Sequence, residues 1–289
     1  LLPMPGGALF SAPLVEESLR DQQIPGAFKT FINYWFRHVW EFIWPLYAGL
    51  LFFSSLSGIE LKRIILLQIP FSLINIITGL IIVRVYFKRH CIGYREIGNP
   101  RRLAASIRQV ISSLWPILLV IFLYAALSIP LHLGLLITAI LLVLATKYGV
   151  RDIFRILFSR NIRDIMILIS IVLVFQQIMK ISDIAEGFLL IQPSVSMVVL
   201  IAFVISFSMG FLTGVNTAFI VIAYPILLPL VSTVPAFSLE AISIFIYVTG
   251  FAGILFSPVH LCLVLTNDYF KSNLLHVYRY LTIPVIVLV

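Results

Sequence analysis

Ser206-Phe-Ser-Met-Gly-Phe-Leu-Thr-Gly-Val-Asn-Thr217 lies between two apolar limbs, 193–211 and 215–231. An α-helix needs roughly 20 apolar residues to cross about 30 Å of hydrocarbon, and each limb approaches that length. The joint has a different chemistry. Gly210 and Gly214 free the backbone, while Thr213, Asn216 and Thr217 bring hydroxyl and amide groups. Irregular backbone at membrane depth survives only where it is buried in protein or lines a wet cavity. The stretch is therefore predicted to be the tip of a re-entrant helical hairpin. The alternative is an ordinary pair of spanning helices with a small-residue packing seam.

Outward from this hairpin the same composition continues. The 289 residues are 61% hydrophobic and only 11% charged, with a mean hydropathy of +1.10. A soluble domain holds about 25% charged residues, and even a large core needs a polar surface. Further apolar segments fall at 1–15, 39–57, 64–83, 111–128, 131–147, 164–181, 241–265 and 275–289. Strand-like alternation is absent. The fold class is all-α and polytopic transmembrane, with the lipid bilayer as its first partner. Cys91 and Cys262 lie in dissimilar surroundings and predict no disulfide. The chain begins and ends inside apolar stretches, so it reads as part of a longer membrane protein. Leu1–Val15 lacks the basic start of a signal peptide.

Basic residues set the orientation. The interval Arg84–Arg108 is rich in Arg and Lys, and a second basic interval, 147–163, has the pattern of an amphipathic surface helix. With Arg84–Arg108 on the cytoplasmic side, every Lys and Arg except Lys62, Arg63 and Lys180 falls inside. Positive-inside loops against anionic lipid account for the net charge of +8 without nucleic acid.

A second irregular segment opens the chain: Leu2-Pro-Met-Pro-Gly-Gly-Ala-Leu-Phe-Ser-Ala-Pro13, with Gly6, Gly7 and Ser11 at a predicted hairpin tip. Each irregular segment precedes a helix with its own interruption. The first is Trp44-Pro-Leu-Tyr-Ala-Gly49, with Glu41 just before it. The second is Thr249-Gly-Phe-Ala-Gly-Ile-Leu-Phe-Ser-Pro-Val-His260, carrying Gly250, Gly253, Ser257 and His260. One further apolar helix follows in each case. The order of hairpin, broken helix and helix thus occurs twice with opposite orientation, which is the pattern of an inverted repeat with its site at the midplane. The organisation expected is a first repeat over 1–83, a cytoplasmic basic loop over 84–110 and a second repeat over 111–289.

Pro-Met-Pro-Gly-Gly-Ala-Leu-Phe-Ser-Ala-Pro with Glu16-Glu17, and Gly-Phe-Leu-Thr-Gly-Val-Asn-Thr-Ala-Phe with the later Ser-Pro-Val-His-Leu-Cys, resemble an uncharacterised membrane family, domain-of-unknown-function family 401. That family is similar to the ion-transporter superfamily of citrate, gluconate, dicarboxylate and TRAP-type permeases. The resemblance covers essentially the whole chain and implies an elevator-style secondary transporter. Such proteins carry scaffold helices before the first hairpin, and their absence here leaves the first repeat incomplete. The resemblance names no substrate.

Among the polar residues, Glu41 reads either as a site carboxylate or as an interfacial ion pair with Arg37 and His38. His260 either titrates or binds an anion, or is a satisfied packing histidine. Asn75 with Thr78 suggests interhelical hydrogen bonding. Glycines at the tips let half-helix N-termini face an anion, and Asn216 with Thr217 offers a place for Na⁺. No buried Lys or Arg lies in the hairpins, so an anion would rely on helix dipoles or on a co-bound cation. The expected function is cation-coupled secondary transport of a small anionic solute in the prokaryotic plasma membrane. Na⁺ or H⁺ is the coupling ion, no cofactor is expected, and homodimer formation is left open. No HExxH pair, P-loop or nucleotide fingerprint supports an enzyme or a primary pump. An intramembrane lipid enzyme or a non-transporting scaffold is the alternative.

Overall fold

A computed structural model describes residues 7–20, 22–92, 114–145, 149–181, 194–232 and 238–289, and these are helical and free of strands. Two compact units divide the chain. Gly93–Leu173 contains α5 (Leu114–Ala125), α6 (Leu131–Ala145), α7 (Val150–Leu157) and the first part of α8 (Arg160–Ile181). The second basic interval is therefore two helices, with Arg151 and Arg155 exposed on the short α7. The other unit, Leu1–Ile92 with Val174–Val289, holds α1 (Ala8–Ser18), α2 (Gly26–His38), α3 (Ala48–Ser57) and α4 (Leu61–Arg89). It also holds α9 (Val195–Thr213), α10 (Asn216–Ser232), α11 (Leu239–Phe256), α12 (Leu261–Tyr269) and α13 (Leu274–Leu288). Leu61–Arg89, Val195–Thr213 and the broken pair Leu239–Tyr269 are long and apolar enough to cross a membrane.

Three boundaries differ from the sequence expectation. Residues 26–38, expected in a polar interval, form α2, whose Phe28, Phe31, Tyr34 and Trp35 are almost wholly buried. Its polar residues (Lys29, Thr30, Asn33, Arg37 and His38) depress the local hydropathy, yet four of the five are buried in the protein interior. The segment 39–57 is consequently not one helix. Val39–Tyr47 is non-helical, and the broken helix is α2 with α3. The helix expected over 64–83 runs on to Arg89, so Arg84, Lys88 and Arg89 belong to α4 rather than to a loop. At about 1.5 Å per residue its 29 residues exceed the hydrocarbon thickness, and basic side chains close to its end suit the interface. Of the opening segment, Ala8–Ser18 forms the helix α1, which carries Pro13 inside it; residues 1–6, Gly6 among them, lie outside the described residues.

Side-chain ties define the two ends of this unit. Arg63 at the start of α4 makes a two-pronged ion pair with Glu240 at the start of α11, both distances being 2.9 Å. At the other end Tyr269 donates to Glu16 (2.7 Å) and Thr30 bonds Ser272 (2.8 Å). Phe28 stacks on Tyr86 there as well, with Tyr280 edge-on to both. Helices α2–α3 and α11–α12 thus run antiparallel through the unit, each interrupted on the way. Packing is reciprocal. The short α1 lies on α2 and α12, as α10 lies on α11 and α3; α2 meets α4 and α13, as α11 meets α13 and α4.

Asn75 and Thr78 do not bond across helices as a pair. Thr78 bonds the Ile74 carbonyl of its own helix, while the interhelical bond runs from Trp35 Nε1 to the Asn75 carbonyl (2.7 Å).

Glycine is what lets α9 and α11 touch. A Cβ on Gly210 would collide with the Gly250 carbonyl oxygen, and one on Gly253 with the Phe207 carbonyl. Backbone cannot swing aside as a side chain can. Gly210→Ala is expected to destabilise the protein by about 2 kcal/mol. Gly134→Ala, whose Cβ would find its nearest neighbour at 3.7 Å, is expected to be near neutral. Thermal unfolding in detergent measures both.

Candidate functional site

An interrupted helix exposes carbonyls at one end and N–H groups at the next, and in an apolar interior each needs a partner. The two interruptions supply partners to each other. Tyr34 of α2 reaches the Ile254 and Leu255 carbonyls at the end of α11, at 3.4 and 3.3 Å. Tyr247 of α11 donates to the Glu41 carbonyl in the first break, at 2.9 Å. Ser72 of α4 covers the Val39 carbonyl (2.6 Å), and Tyr278 of α13 covers that of Phe256 (2.9 Å).

The turn of the α9–α10 hairpin enters the same network. Gly214 closes α9 in the left-handed conformation, φ +60°, where glycine is unstrained. Ser257 donates to the Phe211 carbonyl (2.6 Å), and His260 Nδ1 meets the Gly214 carbonyl (2.6 Å). The hairpin limbs start or finish at the Arg63–Glu240 end: Ser194 and Ser238 cap α9 and α11, and α10 returns toward Leu239. The turn itself stops at the second break, the length of α12 short of Tyr269.

Around this junction stand the ionisable groups. His38 Nε2 and His260 Nε2 are 3.0 Å apart. Glu41 Oε1 is 3.7 Å from His38 Nε2, and its other oxygen accepts a short hydrogen bond from Tyr47. Cys262 Sγ lies within 4.8 Å of a ring nitrogen of each histidine. His38, Glu41 and Cys262 are buried, while His260 is half-buried. Beside them Asn216 donates to Tyr247 (3.3 Å), and its Oδ1 has no hydrogen-bond partner among the described residues. That oxygen faces Gly49, where a Cβ would collide with it.

Of the residues singled out in the sequence, Glu41, Gly49, Gly214, Asn216, Ser257 and His260 meet at this junction. Glu41 is buried within the protein, beside His38. Gly210, Gly250 and Gly253 lie along the α9–α11 seam, Gly250 against the Phe219 ring. Thr213 bonds back to Met209 (2.7 Å), and Thr217 is half-buried at the start of α10. Gly7 precedes α1, and Ser11 bonds its own turn. Asn33 of α2, which the sequence left unnoticed, ties the Ala8 carbonyl to Thr266 at 3.1 and 3.2 Å. His38, Tyr47, Tyr247 and Cys262 were also missed. The available signal was that His38 and Glu41 flank one interruption while His260 and Cys262 flank the other.

Gly49 and Asn216 give a test of this packing. Gly49→Ala drives a methyl group into the Asn216 amide and is expected to lower the melting temperature. In an Asn216→Ala background the same change should cost less, with a coupling on the order of 1 kcal/mol in a double-mutant cycle. Additive losses would mean that the two residues do not touch.

No curated protein and no solved structure matches the sequence. The family model described as "Protein of unknown function (DUF401)" matches residues 1–289, and the chain belongs to that family.

Proposed function

We propose that the chain is a cation-coupled secondary transporter for a small anionic solute, which binds where the hairpin turn meets the two broken helices. The observation that carries this reading is the meeting of Val39–Tyr47, Ser257–His260 and Gly214–Val215 at one junction. Helix interruptions inside an apolar protein are costly, and two of them set against a hairpin turn suit a site better than a scaffold. Helices α3, α10 and α12 begin at this junction and α1 begins close by. Their N–H ends favour a carboxylate or similar anion. The carbonyl ends of α2, α9 and α11 favour a cation. Asn216, with its unpartnered Oδ1, and Thr217 are the proposed Na⁺ position, H⁺ being the other candidate for coupling. The reciprocal packing of α1–α4 and α10–α13 supports an inverted repeat, and the depth of the Gly214 turn supports a re-entrant hairpin.

The convergence of His38, Glu41, His260 and Cys262 also suits a second reading, an intramembrane enzyme acting on lipid. A stabilisation screen of purified protein against Na⁺, acid and a panel of carboxylates, followed by flux in proteoliposomes, separates the two. A transported ligand must raise the melting temperature with its concentration, by about 2.7 kcal/mol of stability at 100 times Kd. Transport predicts a Na⁺- or acid-dependent shift, weakened in Asn216→Ala, together with accumulation of the same solute. Shifts left intact by Asn216→Ala would put the site elsewhere. Absence of both shifts and flux would defeat the transport reading, and turnover of lipid without flux would favour the enzyme.

A further inference from the structure

The imidazoles of His38 and His260 are held in one tautomer each. His38 Nδ1 lies 2.6 Å from the Tyr34 carbonyl oxygen, and His260 Nδ1 lies 2.6 Å from that of Gly214. A carbonyl can only accept, so in both rings the Nδ1 carries the hydrogen. In the neutral rings both Nε2 atoms are then bare lone pairs, and they face each other at 3.0 Å. Two lone pairs at that distance repel unless something electropositive lies between them. Cys262 Sγ sits within 4.8 Å of a ring nitrogen of each histidine. Glu41 gives one oxygen to the Tyr47 hydroxyl and turns the other toward His38 Nε2, at 3.7 Å.

We infer that His38, His260 and Cys262, with Glu41 as fourth donor, form a binding site for a thiophilic late first-row metal ion, Zn²⁺ above all. At Zn–N distances near 2.0–2.1 Å and Zn–S near 2.3 Å, tetrahedral donors stand roughly 3.3–3.7 Å apart. The nitrogens need to part by about 0.3 Å to reach that spacing. The pattern around the rings is that of metal-bound histidine, whose second nitrogen donates to a backbone carbonyl and fixes the ring. Two imidazoles with a thiolate select Zn²⁺ or Cu⁺ over the hard cations that prefer oxygen. Charge also fits: a thiolate and a carboxylate neutralise a divalent ion in an apolar surrounding, with the thiol proton released to solvent on binding. Two donors come from the first interruption and two from the second, so a bound ion would bridge both broken helices. The inference stands whether or not the chain moves a solute.

Co²⁺ is the probe, added to purified, chelator-stripped full-length protein in detergent. One equivalent is expected to give the intense visible bands of tetrahedral Co²⁺ and a thiolate-to-cobalt charge-transfer band, both abolished by Zn²⁺. Cys262→Ser should remove the charge-transfer band, and His38→Ala or His260→Ala should weaken binding by tenfold or more. Size-exclusion profiles and circular dichroism identify variants that misfold. X-ray absorption at the zinc edge of the unaltered protein needs no variant and is expected to show about two imidazole nitrogens and one sulfur per ion. An all-oxygen shell, or Co²⁺ bands that persist in folded Cys262→Ser and His260→Ala, would overturn the site. So would the absence of saturable binding to the folded wild type. None of these readouts involves flux, so failure here leaves the transport reading untouched.

Discussion

Every broken helix in this protein must find partners for the backbone groups it exposes, and that requirement organises the rest. Water is not at hand to hydrogen-bond them inside an apolar bundle, and each unsatisfied group there costs several kcal/mol. The first interruption is closed by Tyr247 and Ser72, the second by Tyr34 and Tyr278, and the hairpin turn by Ser257 and His260. None of these donors belongs to the segment it closes. The breaks are therefore affordable only together, and they lie against one another for that reason.

The ionisable groups follow from the same geometry. His38 is pinned through Nδ1 to the Tyr34 carbonyl in the last turns of α2, and His260 through Nδ1 to the Gly214 carbonyl at the end of α9. Once pinned, their outer nitrogens point inward at each other. Glu41 lies in the backbone segment that Tyr247 holds. Satisfying the broken backbone thus brings three titratable side chains and a thiol to one place. The Gly210, Gly250 and Gly253 contacts hold α9 hard against α11, which keeps the hairpin turn at the second break.

Much of this was legible in the sequence. Gly214 beside Asn216, Pro45 after Glu41, and Ser257-Pro258 are residues that apolar helices avoid without reason, and they mark the hairpin turn and both breaks. Hydropathy misplaced α2 because it scores Thr30, Asn33, Arg37 and His38 as exposed, whereas the fold buries all four. That error misplaced the first limb of the first broken helix and, with it, hid the pairing of His38 with His260. Residues 222 positions apart meet only through tertiary structure, and no local pattern records that. The seam glycines were visible as glycines, but whether they line a site or a contact depends on which helix faces them.

The nine residues of α12 separate the junction from the Tyr269 end, whereas the eighteen of α11 separate it from the Arg63–Glu240 end. Those lengths correspond to about 14 Å and 27 Å of helix. The junction is thus closer to one end of the unit than to the other, behind a thin wall made of α12 and the eleven-residue α1. On that side the junction is covered by only two or three turns of helix. The far side carries a whole hairpin that backbone contacts have locked to α11, so the two sides of the junction differ in stiffness as well as in depth.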